Sequence, residues 1–561
     1  MTMWSLAILV AGTVSMLPST VLAQAIDTRP SAADPARVRP DAPKPIPNLA
    51  PQAPTLRQDN LPGAASAPPG AAAIQFTLGS VNLTGVTAYT PDHFAALYAP
   101  MLGERISLQE VYDLAARITL AYRDAGYLLS YATVPDQEIS GGNVSITVVE
   151  GYLGHVIVDG ADENASLTKH YINRLTAEKP LRDVILESTL LRLNDLPGTN
   201  YRAVLSKEAG TPVGASTLTL IPSTKSARAT VSFDNFASRF LGPHQVSASL
   251  SDSLAARHQT TIFGLTSIPF QKLNYLSLAH AYTLAPDVTV DGSISYTDSE
   301  PGYTLEPLDI KSSTSSFSVG INYQAVRQRE ENLLLKLLYD SRHVTSDILN
   351  TALTRDDIRA LRLNASYDLR DRWGGANIIN ATVSQGLGIF NASKRGEANP
   401  SRSEADSDFT KFELSASRLQ ALDENWSALL QLNGQYATNP LYASEEFGYG
   451  GQSIGRAYDP SEIVGDSGLQ GSIEVRYAGF RTGQPINIEP FAFYDYGFVT
   501  NRDAAQPDFD SLSSAGAGVR FATPAGQSGL VALAVPISRD ANTPIYGTQS
   551  ARLLFQISQN F

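Results

Sequence analysis

From about residue 225 to the C-terminus, the chain consists of short segments in which apolar and polar residues alternate. Leu469, Gly471, Ile473, Val475 and Tyr477 interleave with Gln470, Ser472, Glu474 and Arg476. Phe412, Leu414 and Ala416 interleave with Lys411, Glu413, Ser415 and Ser417. A period of two puts the two sets on opposite faces of a strand. Segments of about ten residues, apolar on one face and charged on the other, suit a membrane barrel with a wet lumen. A soluble β-sandwich shares the period, and the charges on the second face argue for the lumen instead. Segments begin near 227, 243, 258, 272, 287, 313, 330, 357, 374, 408, 423, 467, 485, 511, 525 and 549. They predict an all-β transmembrane barrel of about sixteen antiparallel strands, an even number as closure in lipid favours. One long gap, 437–466, separates the eleventh segment from the twelfth.

Upstream the period changes. In 74–150, Phe76 to Val86 alternates like a strand, and Ser107-Leu108-Gln109-Glu110 forms a capping box that starts a helix. Leu108, Val111, Leu114, Ala115, Ile118 and Tyr122 recur at helical spacing until Gly126. Strands follow at 128–134 and 143–150, giving the order strand, helix, helix, strand, strand. Residues 151–223 repeat it: a strand at 155–158, helices at 167–175 and around Leu186, Leu190 and Leu193, then strands at 201–207 and 216–221. Each repeat leaves a sheet edge able to accept an extended peptide. Proline recurs from Pro30 to Pro69, so 24–73 is expected to be an extended spacer without a convincing helix. Residues 1–23 resemble a secretory signal peptide. Leu6–Ala11 opens the apolar core and Val21-Leu22-Ala23 precedes Gln24, although no Lys or Arg comes first. The barrel is taken as 224–561.

Composition removes several kinds of chemistry. The 561 residues include no Cys, which excludes disulfides, thiolate zinc sites and cysteine nucleophiles. A net charge of −13 argues against nucleic acid as a partner. The seven His residues lack paired ligand spacing, so neither metal nor cofactor is expected. Gly451-Gln452-Ser453-Ile454-Gly455 matches a nucleophile elbow in letters only, because no helical pattern follows and no His is near. No phosphate-binding or dinucleotide fingerprint occurs. The chain reads as a pore and not an enzyme.

Two stretches carry the candidate site. The long gap holds the Gly-rich run from Gly450 to Pro460, with Arg456 beside Ala457 and Tyr458. Phe493-Tyr494-Asp495-Tyr496-Gly497 lies on a later strand. Period two puts Phe493, Asp495 and Gly497 on one face. A carboxylate facing lipid is costly, so Asp495 is expected to face the lumen, with the planar Arg456 guanidinium as its partner. The gap then becomes a loop folded into the barrel. Leu553, Phe555, Ile557, Gln559 and Phe561 share the last strand's outer face.

Together these features resemble the two-partner secretion translocators of the ShlB/FhaC/HecB type, over essentially the whole mature chain. Leu196-Pro197-Gly198 resembles the end of the family's second POTRA helix, and Asp234-Asn235-Phe236 with Gly242 its first barrel hairpin. The family's lumen-loop motif, Val-Arg-Gly-Tyr/Phe, reads here Gly455-Arg456-Ala457-Tyr458, and its Phe-x-Asp-x-Gly motif is complete at Phe493, Asp495 and Gly497. The resemblance implies two periplasmic POTRA domains, 74–150 and 151–223, below an outer-membrane barrel. It implies export of a large exoprotein of adhesin or haemolysin kind, bound through its N-terminal secretion domain. Phe561 resembles the terminal aromatic read by the outer-membrane assembly machinery. A barrel insertase or a passive porin are the alternatives. The family's N-terminal plug helix has no evident counterpart in 24–73.

Overall fold

The computed structural model describes residues 30–34, 37, 47, 56–59, 63, 66–207, 210–480, 486–503, 507–539 and 550–561. The signal-peptide expectation for 1–23 lies outside them. The first unit holds β2 (Gln75–Thr77), β3 (Ser80–Thr84), β4 (Arg105–Ser107), α1 (Leu108–Asp124), β5 (Tyr131–Thr133) and β6 (Asn143–Val149). The capping box forms, with Glu110 N donating to Ser107 Oγ at 3.3 Å and Ser107 N to Glu110 Oε2 at 2.6 Å. Val111, Leu114, Ala115, Ile118 and Tyr122 of α1 pack on Val144, Ile146 and Val148 of β6. The expected strand from Phe76 to Val86 is instead two. β2 pairs with β4 and β3 with β6, because the chain turns at Leu78-Gly79, where a side chain on Gly79 would meet Gly141 O at 2.7 Å. The expected first helix is a series of short helical turns from Pro91 to Met101.

Glu150 ties this unit together. It accepts from Thr87 N and Ala88 N, both at 2.8 Å, and from Tyr122 Oη at 2.7 Å. Burial works against its charge, but these donors hold the carboxyl below the usual carboxylate range.

The second unit follows as β7 (Tyr152–Val158), α2 (Ala165–Ala177), α3 (Asp183–Asp195), β8 (Thr199–Ser206) and β9 (Ala215–Thr224). Its sheet has a fourth strand, β1 (Leu56–Asp59), from the Pro-rich stretch, giving the order β1-β8-β9-β7. This corrects the reading of 24–73 as a spacer only. Pro54 and Pro62 leave seven Pro-free residues between them, enough for four to pair. A second correction concerns residues near Pro30. Ser31–Ala33 form one tight turn, and Ala32 and Ala33 are buried against Phe240 and Leu305 of the barrel. Ser31 Oγ donates to Ser461 O at 2.6 Å and Arg37 pairs with Glu446 at 2.6 Å. Residues 31–33 and Arg37 therefore lie inside the barrel, with 31–33 as a turn too short to show helical periodicity.

The barrel opens with β10 (Arg228–Asp234), β11 (His244–Asp252), β12 (His258–Ile268), β13 (Leu273–Ala285), β14 (Val288–Ser299), β15 (Ile310–Arg327), β16 (Glu331–Ile348), β17 (Thr351–Arg370), β18 (Gly375–Gly386), β19 (Thr410–Ala421) and β20 (Trp426–Ala437). A loop containing the small hairpin β21 (Phe447–Tyr449) and β22 (Ile463–Gly465) follows. The wall resumes with β23 (Ser467–Tyr477), β24 (Asn487–Thr500), β25 (Phe509–Ala522), β26 (Gln527–Pro536) and β27 (Arg552–Asn560). Among the described residues the wall is a closed antiparallel barrel of sixteen strands, sealed where Thr230–Asp234 pair with Gln556–Asn560. Phe561 N donates to Ala229 O at 2.9 Å at this seam, and its ring is exposed. The faces divide as the alternation requires. Leu469, Ile473, Tyr494 and Tyr496 are exposed outside, while Ser472, Glu474, Arg476 and Asp495 are buried inside.

Candidate functional site, a loop seated in the lumen

The segment between β20 and β23 turns inward because its Gly-rich tip can follow a path that side chains forbid. Gly450, Gly451 and Gly455 have φ of 113°, 120° and 78°. A Cβ on Gly455 would meet Gly450 Cα at 2.8 Å. The tip thus presents two successive amides, Gly455 N and Arg456 N, which donate to Asp495 Oδ2 at 3.0 and 3.1 Å.

The Arg456 guanidinium completes the grip. Nε donates to Asp495 Oδ2 at 3.1 Å and Nη2 to Oδ1 at 2.9 Å, the two-point geometry for which Arg suits a carboxylate. Nη2 also reaches Ser472 Oγ at 2.9 Å, and Nη1 donates to Glu474 Oε2 at 2.5 Å. The Phe493 ring lies 3.4 Å from the guanidinium carbon. Arg456, Glu474 and Asp495 are all buried, and Asp495 is wholly so. The sequence suggested a single pair; the site is a network. Arg476 and Arg520 each contact Glu474 at 2.8 Å, so its charge is shared among three guanidiniums. Glu474 and Arg476 stand on the polar face of β23 in the sequence, which was the available signal for them.

The remaining predicted residues converge on the same place. Ala457 and Tyr458 are buried, and Tyr458 Oη donates to Ser513 O at 3.0 Å and Arg539 O at 2.9 Å. Gly497 admits the Tyr449 ring, which a Cβ would meet at 2.2 Å. Phe236 of the first hairpin joins the cluster formed by Tyr449, Tyr458 and Phe493. Arg239 pairs with Asp459 at 2.7 Å, and Arg552 Nη2 donates to Phe236 O and Ala237 O at 3.1 and 2.9 Å. Phe561 is not part of this site and stands at the barrel seam.

Two further clamps have no sequence signal, because they come from loops without periodicity. Glu445, fully buried, contacts Arg362 of β17 at 2.8 Å and Lys411 of β19 at 2.9 Å. Arg402, in the β18–β19 loop, pairs with Asp466 and with Glu446 at 3.1 Å. The loop is therefore fixed to wall strands on several sides of the lumen. Among the described residues no group of His, Cys, Asp or Glu is placed to hold a metal ion.

A closed barrel with an inward-folded, ion-paired loop, carried above two α/β units, defines a class: POTRA-bearing barrels of the bacterial outer membrane. The model of the family "Haemolysin secretion/activation protein ShlB/FhaC/HecB" matches residues 214–521, and that of the ShlB-type POTRA domain matches 76–151. The chain belongs to this family of outer-membrane translocators, with the barrel in the outer membrane and the POTRA units in the periplasm. It is 25% identical to the heme/hemopexin transporter protein HuxB of Haemophilus influenzae (strain 86-028NP), over 80% of this chain and 81% of that protein. It is 23% identical to the outer membrane transporter CdiB of Dickeya dadantii (strain 3937), over 80% of each. The solved structure of CdiB from Escherichia coli superposes with a TM-score of 0.67 at 18% identity, covering 98% of this chain and 100% of that one.

Proposed function

We propose that this chain exports its partner exoprotein through the barrel lumen, and that the loop tip at Arg456 holds the wall in its resting state until cargo engages. The family supplies the transport function, partner-exoprotein export in two-partner secretion. The observation that carries the mechanism is the seating of Gly455-Arg456-Ala457-Tyr458 on Asp495 and Glu474 inside a closed barrel. A polypeptide cannot pass while that loop and residues 30–34 and 37 occupy the lumen, so export requires both to move. The loop is held by separate charge networks at its tip and its root, and both must part before it can leave. The chain supplies a path and no catalytic step; cargo folding outside supplies direction. Phe561, exposed at the seam, serves as the recognition point for the assembly machinery during insertion, and the outer faces contact lipid.

Arg456→Ala and Asp495→Ala should each cut secretion of the cargo at least tenfold while the barrel remains inserted. Asp495 would keep two amides and Arg456 would keep Glu474, so the cost stays below the roughly 3–5 kcal/mol of a buried charge left alone. Normal export by both variants would sink the loop mechanism. Comparing the host's secreted proteins with and without the gene identifies the cargo, expected as the loss of one or a few very large proteins. Depletion of other outer-membrane barrels would point instead to an insertase.

A further inference from the structure

The outer face of the wall carries a groove with one polar end. The registers of β18, β19, β20, β23 and β24 align two rows of lipid-facing residues. The upper row runs Ile379, Ala416, Leu432, Gly471, Tyr496, and the lower Asn377, Arg418, Leu430, Ile473, Tyr494. Ala416 and Gly471 are small between large neighbours, so the wall sinks there into a groove of about 520 Å³. A Cβ on Gly471 would meet Leu432 Cδ1 at 3.7 Å and Gln431 O at 3.3 Å. A side chain is thus nearly accommodated, and its absence leaves open space.

The polar end lies at the periplasmic rim. Arg418 is three residues from the end of β19, and Tyr494 is seven from the start of β24. The rows therefore climb from the rim into the hydrocarbon. Trp373 and Trp426, both exposed beside this rim, mark the headgroup level.

Arg418 is built into that end. Gly375 has no side chain, and a Cβ there would meet Arg418 Nη2 at 2.3 Å, so the guanidinium lies flat against the wall. Nη1 pairs with Asp371 and donates to Asn377 Oδ1 at 2.8 Å. Nη2 donates to Asp371 Oδ1 at 3.4 Å and to Gln420 Oε1. Asp371 also accepts from Trp373 N and Gly375 N at 3.0 and 3.1 Å, which fixes the carboxylate that holds the guanidinium. These bonds occupy Nη1 and Nη2 and leave Nε available. Arg372, 5.4 Å from the centre of the Trp373 ring, adds a second cation on the same turn. A guanidinium with an unused donor, at headgroup depth and at the mouth of an apolar groove, fits a phosphate esterified to a diacylglycerol. A second outer groove, at Gly264, Leu276 and Tyr296, ends instead in Asn274 and Asp298 and is lined by no cation.

We propose that the groove across β19, β20 and β23 holds a glycerophospholipid of the periplasmic leaflet, its phosphate on Arg418 and one acyl chain along Ala416, Gly471 and Tyr496. The barrel stands in the outer membrane, so that leaflet presents the lipid to this face. The bound lipid lies back to back with the loop seat. Ser472 and Asp495, opposite each other on the lumen side, alternate with Gly471, Ile473, Tyr494 and Tyr496 outside. The lipid thus braces from without the two strands that grip Arg456 from within.

Native mass spectrometry of the full chain, purified in detergent, reads the site directly. With dioleoyl phosphatidylglycerol as the probe, the wild type should keep a single lipid at activation energies that strip the rest. Arg418→Gln and Gly471→Leu should each lower the retained fraction roughly fivefold or more. Dioleoylglycerol, with the same chains and no phosphate, should be kept by the wild type no better than the phospholipid is kept by Arg418→Gln. Heat-modifiable migration shows which barrels are folded. Arg372→Gln, on the exposed turn, and Ala416→Phe, filling the groove from β19, are second variants of each kind and should lower retention too. Equal retention by the wild type and the folded variants overturns the proposal. So does a loss confined to the groove variants, which would show chain contact without recognition of a headgroup.

Discussion

Gly497 has no side chain, and Tyr449 of the inward loop fills the place one would take. A Cβ there would come within 2.2 Å of one ring carbon and 2.7 Å of another. The glycine in Phe-x-Asp-x-Gly is therefore a seat, next to the carboxylate it shares a face with. Gly497→Ala should force the ring away, at a cost of about 1–3 kcal/mol. The expected result is a loop cleaved faster by added protease in a barrel that still shows heat-modifiable migration. Unchanged cleavage would mean that Tyr449 finds another position at no cost. Asp495 and Arg456 are matched on a finer scale. The carboxylate takes two backbone amides as well as the guanidinium, so a lysine, with its single ammonium, cannot reproduce the bidentate contact.

At the scale of elements, the loop between β20 and β23 is fastened at separate points. Arg456 holds its tip to β23 and β24, and Glu445 holds its root to β17 and β19. Glu445→Ala would leave Arg362 with Asp340 and Lys411 with Glu413, both already engaged. Because each cation keeps one carboxylate, the cost stays below the roughly 3–5 kcal/mol of a buried charge left without a partner. Amide exchange should then accelerate at residues 443–449 while 455–458 stay protected by the Asp495 contacts. Equal acceleration at both would show that the loop releases as a single unit.

On the scale of the whole molecule, the second POTRA unit is docked on periplasmic turns of the barrel. Arg192 of α3 pairs with Asp287 between β13 and β14, and Tyr171 of α2 donates to the same carboxylate at 3.2 Å. Arg327 at the end of β15 makes two bonds to Asp195, at 2.6 and 2.9 Å. Arg257, between β11 and β12, donates to Ser166. Partly exposed pairs of this kind contribute about 1 kcal/mol each or less, so no single one fixes the geometry. Asp287→Asn keeps a residue that tolerates the positive φ of 65° found there. Combined with Asp195→Ala it should broaden the distance distribution between spin labels on α3 and the barrel rim. Either change alone should have a small effect. An unchanged distribution in the double variant would assign the docking to other contacts.

Local alternation determined the wall. The strand starts read from the sequence lie within six residues of those in the structure, because a strand in lipid must show one apolar face and satisfy its backbone through neighbours. The same logic put Asp495 inside, opposite Tyr494 and Tyr496, and made Arg456 its expected partner. Alternation has nothing to say about residues without a period. Glu445, Arg402 and Asp466 sit in loops, and only the closed barrel brings them against Arg362, Lys411 and one another. Proline density likewise marked 24–73 as extended, but it could not show that Leu56–Asp59 would pair with β8 or that Ser31 would bond to the Ser461 carbonyl. Those partners are 147 and 430 positions away, and contacts at that range exist only once the tertiary structure has closed the chain between them.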